Sequence, residues 1–197
     1  MSVSFKEFGG FMIIKNTDFP GLKIIELDKF SDERGAFFET YQQKRYQEQG
    51  LASVFVQDNQ SCSKANVLRG LHYQKDQAQA KLVWVVQGQV LDVAVDVRVG
   101  SPTFGNVFKM ILSEDEAKQV FIPEGFAHGF SVLSPQAIFC YKCTHYYDKA
   151  SERGIIWSDP ELGIDWQISS PIISDKDQTY PRLTEISENE LPRFQAI

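Results

Sequence analysis

Short apolar runs, many alternating with polar residues, recur along the chain at intervals of roughly 8–12 residues. Runs at 11–14, 23–27, 36–41, 81–87, 90–97, 106–112, 119–122, 129–133 and 137–146 are rich in Val, Ile, Phe and Tyr and are bounded by Gly, Pro, Asp or Ser. That composition predicts strands. Within 90–97, Leu91, Val93, Val95 and Val97 alternate with Asp92, Ala94 and Asp96, the two-residue period of a strand with one apolar face. Gln87-Gly88-Gln89 reads as a tight hairpin link. A helical pattern is confined to 42–49, closed by Gly50, with short turns expected near 159–163 and 187–191. No internal repeat, low-complexity tract or linker interrupts the series. The pattern predicts an all-β fold: one antiparallel jelly-roll barrel over residues 1–197, with a few short helices and a mouth able to hold a ligand. Residues 1–20 are expected to form an arm and 182–197 a tail.

Composition narrows the function classes. Of 197 residues, 43 % are hydrophobic and 23 % charged, as in globular proteins rather than disordered chains. The net charge of −6 argues against nucleic acid as a partner. No apolar run approaches the roughly 18 residues of a membrane-spanning helix. The opening MSVSFKEFGGFMIIKN lacks a basic stretch followed by an apolar block, so no signal peptide and a cytoplasmic location are expected. Three cysteines, Cys62, Cys140 and Cys143, read as free thiols. Cys140 and Cys143 fall on one expected strand and so point to opposite faces, which disfavours a shared metal.

Candidate chemistry starts with the histidines. His72 and His128 sit where turn residues lead into strands, and imidazole suits proton transfer near neutrality. Metal-binding barrels of this type use a His-x-His pair, a carboxylate soon after and a later His. Here Gln74 stands two places after His72, and the prominent charged residue downstream is Lys81, which cannot ligate a cation. No catalytic metal is therefore expected. Neither GxGxxG nor GxxxxGK[ST] occurs, so any phosphate must be held by side chains such as Arg34, Arg69, Lys81 or Lys176.

Seven segments, in order, then narrow the field: Asp32-Glu-Arg-Gly-Ala-Phe-Phe-Glu39, Gln57-Asp-Asn59, Val67-Leu-Arg-Gly-Leu-His72, Gln79-Ala-Lys81, Asp96-Val-Arg-Val-Gly-Ser-Pro-Thr-Phe-Gly105, Pro123-Glu-Gly-Phe-Ala-His-Gly-Phe130 and Ser174-Asp-Lys-Asp177. Together they resemble the dTDP-4-dehydrorhamnose 3,5-epimerase family, of cupin-like jelly-roll fold, from about residue 20 to 182. The resemblance implies His72 as catalytic base, Asp177 as its carboxylate partner, Tyr141 as general acid and Lys81 beside the developing enolate. It implies Arg34, Phe37, Glu39, Gln57, Asn59 and Arg69 as nucleotide-sugar contacts. His128, Glu152 and Lys176 complete the pocket, and Tyr147 lies near the thymine. Spacing alone leaves Asp175 a rival to Asp177 and Tyr146 a rival to Tyr147. The resemblance further implies a homodimer with exchanged N-terminal strands, a dTDP-4-keto-6-deoxyhexose substrate and no cofactor.

The residue types suit that chemistry. A ketone at C4 acidifies the C–H bonds at C3 and C5, and inverting them needs a base and an acid on opposite faces of the ring. A His–Asp pair supplies the base, a tyrosine holds a proton to donate, and a lysine steadies the oxyanion. A single-centre epimerase, a ketoisomerase of the same barrel class and a non-catalytic sugar-nucleotide-binding cupin are the alternatives. The expected face shared by Phe139, Tyr141, Cys143 and His145 would aim the Tyr141 hydroxyl into the barrel.

Overall fold

The computed structural model describes residues 12–195; Phe11 and most of the expected arm lie outside them. In chain order the strands are β1 (Met12–Asn16), β2 (Lys23–Leu27), β3 (Phe30–Asp32), β4 (Gly35–Phe37), β5 (Gln57–Lys64), β6 (Leu68–Gln74), β7 (Lys81–Gln87), β8 (Gln89–Asp96), β9 (Val107–Ser113), β10 (Lys118–Ile122), β11 (Phe126–Val132), β12 (Gln136–Cys143) and β13 (Glu152–Gly154). One helix, α1 (Gln43–Glu48), precedes β5. The strands form a six-stranded sheet, β1-β2-β10-β7-β12-β5, and a five-stranded sheet, β13-β6-β11-β8-β9. The two sheets pack face to face. β3 and β4 make a separate two-stranded ribbon.

The cluster between the sheets includes Val83, Val85, Val90, Ala94, Val120, Phe130 and Phe139. Each such side chain, taken fully out of water, stabilises the fold by about 1.5–3 kcal/mol before entropy is counted. A second cluster lies on the outer face of the five-stranded sheet, where Leu91, Val93, Val95 and Val97 meet Ile155, Trp166, Leu183 and Leu191 of the C-terminal segment. α1 covers part of the six-stranded sheet. Its Tyr46 is buried beside Ile25, Leu82 and Phe121, with its hydroxyl 2.6 Å from Gln119 Oε1.

β8 keeps the expected period but is buried on both faces. Its polar side, with Asp92 and Asp96, lies with Val90 and Ala94 toward the space between the sheets, while the apolar side meets the C-terminal layer. The hairpin expected at Gly88 is absent. β7 and β8 belong to different sheets, and Gly88 carries the chain across the corner at φ +78°. A Cβ there would lie 2.1 Å from the Gln136 carbonyl oxygen, so the close approach requires glycine. The strand expected at 36–41 contracts to β4, and that at 137–146 ends at Cys143. His145 is therefore off the shared face and half exposed, 3.8 Å from Glu124.

Candidate active site

A cavity of about 740 Å³ opens between the sheets. The five-stranded sheet supplies His72 and Arg69 from β6 and His128 from β11, with His72 and His128 directly cross-paired. The six-stranded sheet supplies Lys81 from β7, Tyr141 from β12 and Ser61 from β5. Imidazole and phenol thus stand on facing sheets and line one space.

The approach of β6 to β11 depends on two glycines. Gly70 adopts φ +121°, and a Cβ on it would lie 2.5 Å from Gly129 Cα; one on Gly129 would lie 2.5 Å from the Arg69 carbonyl oxygen. Backbone stands on both sides of this contact, so neither position has room for a side chain. The register shifts here, between His128 and Phe130.

The turn that follows Ile173 reaches the site because Ile172 is tied to the start of β6, accepting from the Leu68 amide at 3.0 Å and donating to Asn66 at 2.8 Å. The Ser174 hydroxyl accepts the Asp177 amide at 3.2 Å. Asp177 is buried, whereas Asp175 is exposed. Asp177 Oδ1 lies 2.7 Å from His72 Nε2, and Oδ2 accepts the Gly70 amide at 3.3 Å. Burial alone pushes the Asp177 carboxyl up. The His72 bond and charge, the Gly70 amide and Lys176 outweigh it and hold the group below its usual range. A carboxylate only accepts, so His72 Nε2 carries the hydrogen and the lone pair of neutral imidazole resides on Nδ1. The Tyr180 ring stands edge-on to His72 at 5.7 Å.

Burial pushes the Tyr141 phenol up, so it keeps its proton through neutral pH. Burial pushes the Lys81 ammonium down, opposed by the neighbouring acidic groups Cys143, Asp92 and Glu152. At the rim, Lys176 Nζ lies 2.9 Å from both Glu152 oxygens, and the Tyr147 hydroxyl donates to Glu152 Oε2 at 3.1 Å. A second chamber of about 240 Å³ shares His72, Lys81, Tyr141, Tyr147 and Glu152 and adds Gln57 and Asn59. Tyr146 lines neither space.

Eleven of the fourteen expected residues therefore line the two joined chambers: His72, Tyr141, Asp177, Lys81, Gln57, Asn59, Arg69, His128, Tyr147, Glu152 and Lys176. Arg34, Phe37 and Glu39 do not. Arg34 is exposed on the ribbon and paired with Asp32, Phe37 lies on the same ribbon, and Glu39 accepts from Arg45 at 2.8 Å. Two residues escaped sequence reasoning. Ser61 lines the cavity with its buried hydroxyl unbonded. Asp92 holds His128 Nε2 at 2.6 Å. An acidic residue on the polar side of an otherwise apolar strand was the available signal for Asp92; Ser61 offered none. Among the described residues, no group of three or more His, Cys, Asp or Glu is placed to hold a metal ion.

Comparison with known proteins bears on this arrangement. A family model described as dTDP-4-dehydrorhamnose 3,5-epimerase matches residues 16–185. Curated proteins of that name are 51 % identical in Shigella flexneri, covering 84 % of this chain and 93 % of the relative. In Methanothermobacter thermautotrophicus the figures are 47 %, 89 % and 96 %. Among solved structures, a dTDP-6-deoxy-D-glucose-3,5-epimerase from Legionella pneumophila in complex with dTDP-4-keto-L-rhamnose superposes with a TM-score of 0.91 at 52 % identity, covering 94 % of this chain and 100 % of that one. A 3'-monoepimerase from Streptomyces bikiniensis in complex with dTDP-quinovose is also similar, with a TM-score of 0.85 at 32 % identity, covering 91 % and 93 % of the two chains.

Proposed function

The chain belongs to the dTDP-4-dehydrorhamnose 3,5-epimerase family, and from that premise we propose that it inverts C3 and C5 of dTDP-4-dehydro-6-deoxy-D-glucose to give dTDP-4-dehydro-L-rhamnose. The observation that carries this reading is the placement of His72 and Tyr141 on facing walls of one cavity.

His72 Nδ1 takes the proton from C5, and the electrons of that C–H bond pass into the C4 carbonyl as an enolate. Asp177 steadies the imidazolium through Nε2–H. Lys81 meets the negative charge on O4 in a site partly closed to water, where such an interaction contributes most. Tyr141 delivers its proton to the other face of C5; His72 then releases its proton to solvent, and solvent restores the phenol. The same sequence at C3 completes the second inversion. No electron leaves the substrate, so the balance calls for no redox cofactor. Arg69, Lys176, Gln57, Asn59 and Tyr147 are assigned to the nucleotide sugar, supported by their convergence on the joined chambers.

The protein is assigned to the cytoplasm as a homodimer in which Arg34, Phe37 and Glu39 serve the partner's nucleotide. Support for the dimer is the β3–β4 ribbon, which forms a two-stranded sheet of its own and exposes the apolar ring of Phe37. Sedimentation tests it; an active monomer is the contrary result. The reaction is tested in heavy water with the 4-keto nucleotide. Deuterium at both C3 and C5, with the L-lyxo product, is expected. Exchange at one centre alone makes this a monoepimerase, and nucleotide binding without exchange makes it a binding protein; either overturns the proposal.

A further inference from the structure

We propose that Tyr180 is a positioning residue for the base: its ring fills the place of the side chain that Gly154 lacks and holds the His72 imidazole where Nε2 meets Asp177 and Nδ1 meets the sugar. The inference deepens the role given to His72 above and rests on that reading.

His72 pairs with His128 of β11 on one side and with Gly154 of β13 on the other. Cross-strand partners present their side chains on the same face. On the β11 side the imidazole therefore has a fixed neighbour, bonded to Asp92 at 2.6 Å and stacked on Phe139 at 6.0 Å. On the β13 side the partner has no side chain. Leu71 and Ile155 exchange both backbone hydrogen bonds, at 3.4 and 3.0 Å, so the next pair, His72 and Gly154, is of the closely spaced kind. A side chain at 154 would stand directly beside the imidazole.

Tyr180 takes that place. A Cβ on Gly154 would lie 2.5, 2.6 and 2.7 Å from Cε2, Cδ2 and Cζ of Tyr180, so the ring lies against the glycine backbone. Its centroid is 5.7 Å from that of His72, with the planes at 64°, an edge-on contact of the kind aromatic pairs prefer. The chain on either side of the ring is tied down. The Ile156 amide donates to the Pro181 carbonyl at 2.9 Å, and the Thr179 amide and hydroxyl both donate to the Lys176 carbonyl, at 3.1 and 2.9 Å. Tyr180 is half-buried and lines neither chamber, so its contact is with the base and not with the space for the sugar. Asp177 comes from the same turn, three residues earlier. One segment thus supplies both the carboxylate that orients the imidazole and the wall that stops it swinging off that carboxylate toward β13.

The test separates ring, hydroxyl and glycine. Rates are followed as deuterium uptake at C5, with dTDP affinity alongside. The ¹⁵N shifts of the His72 ring, assigned by their loss in His72→Asn, are read in substrate-free protein with the imidazole neutral. Wild type and Tyr180→Phe should both show a bare Nδ1 and a protonated Nε2, and Tyr180→Phe should keep kcat within about threefold. Tyr180→Ala should lower kcat roughly tenfold to 100-fold with dTDP affinity unchanged, and its His72 shifts should move toward the average of the two tautomers. Gly154→Ala, which displaces the ring, should do the same. In the Tyr180→Ala background the added methyl has room, so Gly154→Ala should cost no further rate. Wild-type His72 shifts in folded Tyr180→Ala or Gly154→Ala overturn the proposal. So does a Tyr180→Phe as slow as Tyr180→Ala, or a Gly154→Ala change that slows the Tyr180→Ala protein as much as it slows wild type. The Gly154→Ala arm stands even if Tyr180→Ala does not fold. Because the ¹⁵N reading needs no turnover, a wild type that takes up no deuterium would sink the catalytic reading and leave this measurement interpretable.

Discussion

Replacing Asp177 by Asn keeps the shape of the side chain and removes its charge, which isolates what that carboxylate does for His72. In the native site Oδ1 takes Nε2–H at 2.7 Å and Oδ2 takes the Gly70 amide at 3.3 Å, so both partners are donors. An amide has one acceptor oxygen and one NH₂. Whichever way it is turned, one native donor faces an NH₂ group. If that donor is the imidazole, Nε2 must become the acceptor, the hydrogen moves to Nδ1, and the lone pair needed for proton abstraction leaves the cavity. Loss of a charge-assisted bond to the imidazolium alone removes about 1.5–3 kcal/mol, or roughly tenfold to 150-fold in rate. With the tautomer inverted as well, the total should approach the ~10⁴-fold loss seen when a buried His–Asp pair is neutralised elsewhere. The assay is deuterium uptake at C5 and C3 from heavy water, with dTDP affinity as a control for the intact pocket. A folded Asp177→Asn that binds dTDP normally and exchanges within about threefold of wild type would refute the assignment of His72 Nδ1 as the base.

Tyr141→Phe should retain wash-out of the C5 proton while forming little inverted product; product and exchange falling together in this variant would remove the phenol from the acid role. Gly70→Ala should lower stability by roughly 2–4 kcal/mol in urea unfolding, from positive φ and overpacking together, because the new Cβ meets backbone of β11 at 2.5 and 2.7 Å; an ordinary midpoint would show that β6 can move away. Asp96→Asn should cost about 3–5 kcal/mol at neutral pH, since Asp96 holds the buried Arg98 with Nη2 at 2.7 Å and takes Ser101 and Thr103 at 2.6 Å each. Burial pushes the Asp96 carboxyl up, but those donors outweigh it and hold it down. Its contribution is therefore present above the ordinary carboxylate pKa of about 4 and is lost as pH falls through the lower folded value. Wild type and variant should converge in strong acid, and a difference independent of pH would contradict this. Asp92→Leu with His128→Phe should be as stable as wild type or more so, by up to about 4 kcal/mol, while each single change destabilises; a double variant weaker than both singles would show that the pair holds the fold together.

Strands rich in Val, Ile and Phe were legible; β5 and β6, which line the main cavity, were not. β8 and β12 announce themselves through Val, Ile and Phe. β5 reads QDNQSCSK, and its inward side chains are Gln57, Asn59, Ser61 and Ser63. Gln57, Asn59 and Ser61 face the two chambers rather than a core, so the apolar signal that marks a strand is missing where the site is built. β6 reads LRGLHYQ for the same reason. Gly88 misled because a glycine between two strands is consistent with a hairpin or a corner, and pairing partners decide which. Chemistry-bearing residues far apart in sequence, such as His72 and Asp177, were placed together by the family pattern. Asp92 was visible as a residue, but which side of β8 faces the interior depends on the C-terminal layer, whose packing is non-local.

Inversion at carbon demands that a proton leave one face of a ring and arrive on the other, and a two-sheet fold meets that demand by geometry. Each sheet presents one set of side chains inward, so a base on β6 and an acid on β12 face each other across the gap, and the turn after Ile173 adds the carboxylate that orients the base. Rigid strands hold such groups more closely than loops do. The cost falls on the core. Positions that would carry Val or Leu carry His72, Lys81, Asp92, His128 and Tyr141 instead, and apolar packing is confined to Val83, Val85, Phe130, Phe139 and their neighbours and to the outer faces. That explains why the five-stranded sheet carries a second apolar layer on its outside: Leu91, Val93, Val95 and Val97 restore against Ile155, Trp166 and Leu183 the burial that the cavity gives up. The C-terminal segment then has two functions that cannot be separated. Its residues seal the outer face, and the part tied to β6 through Ile172 delivers Asp177 to His72, so loosening that layer should disable the base before it unfolds the barrel.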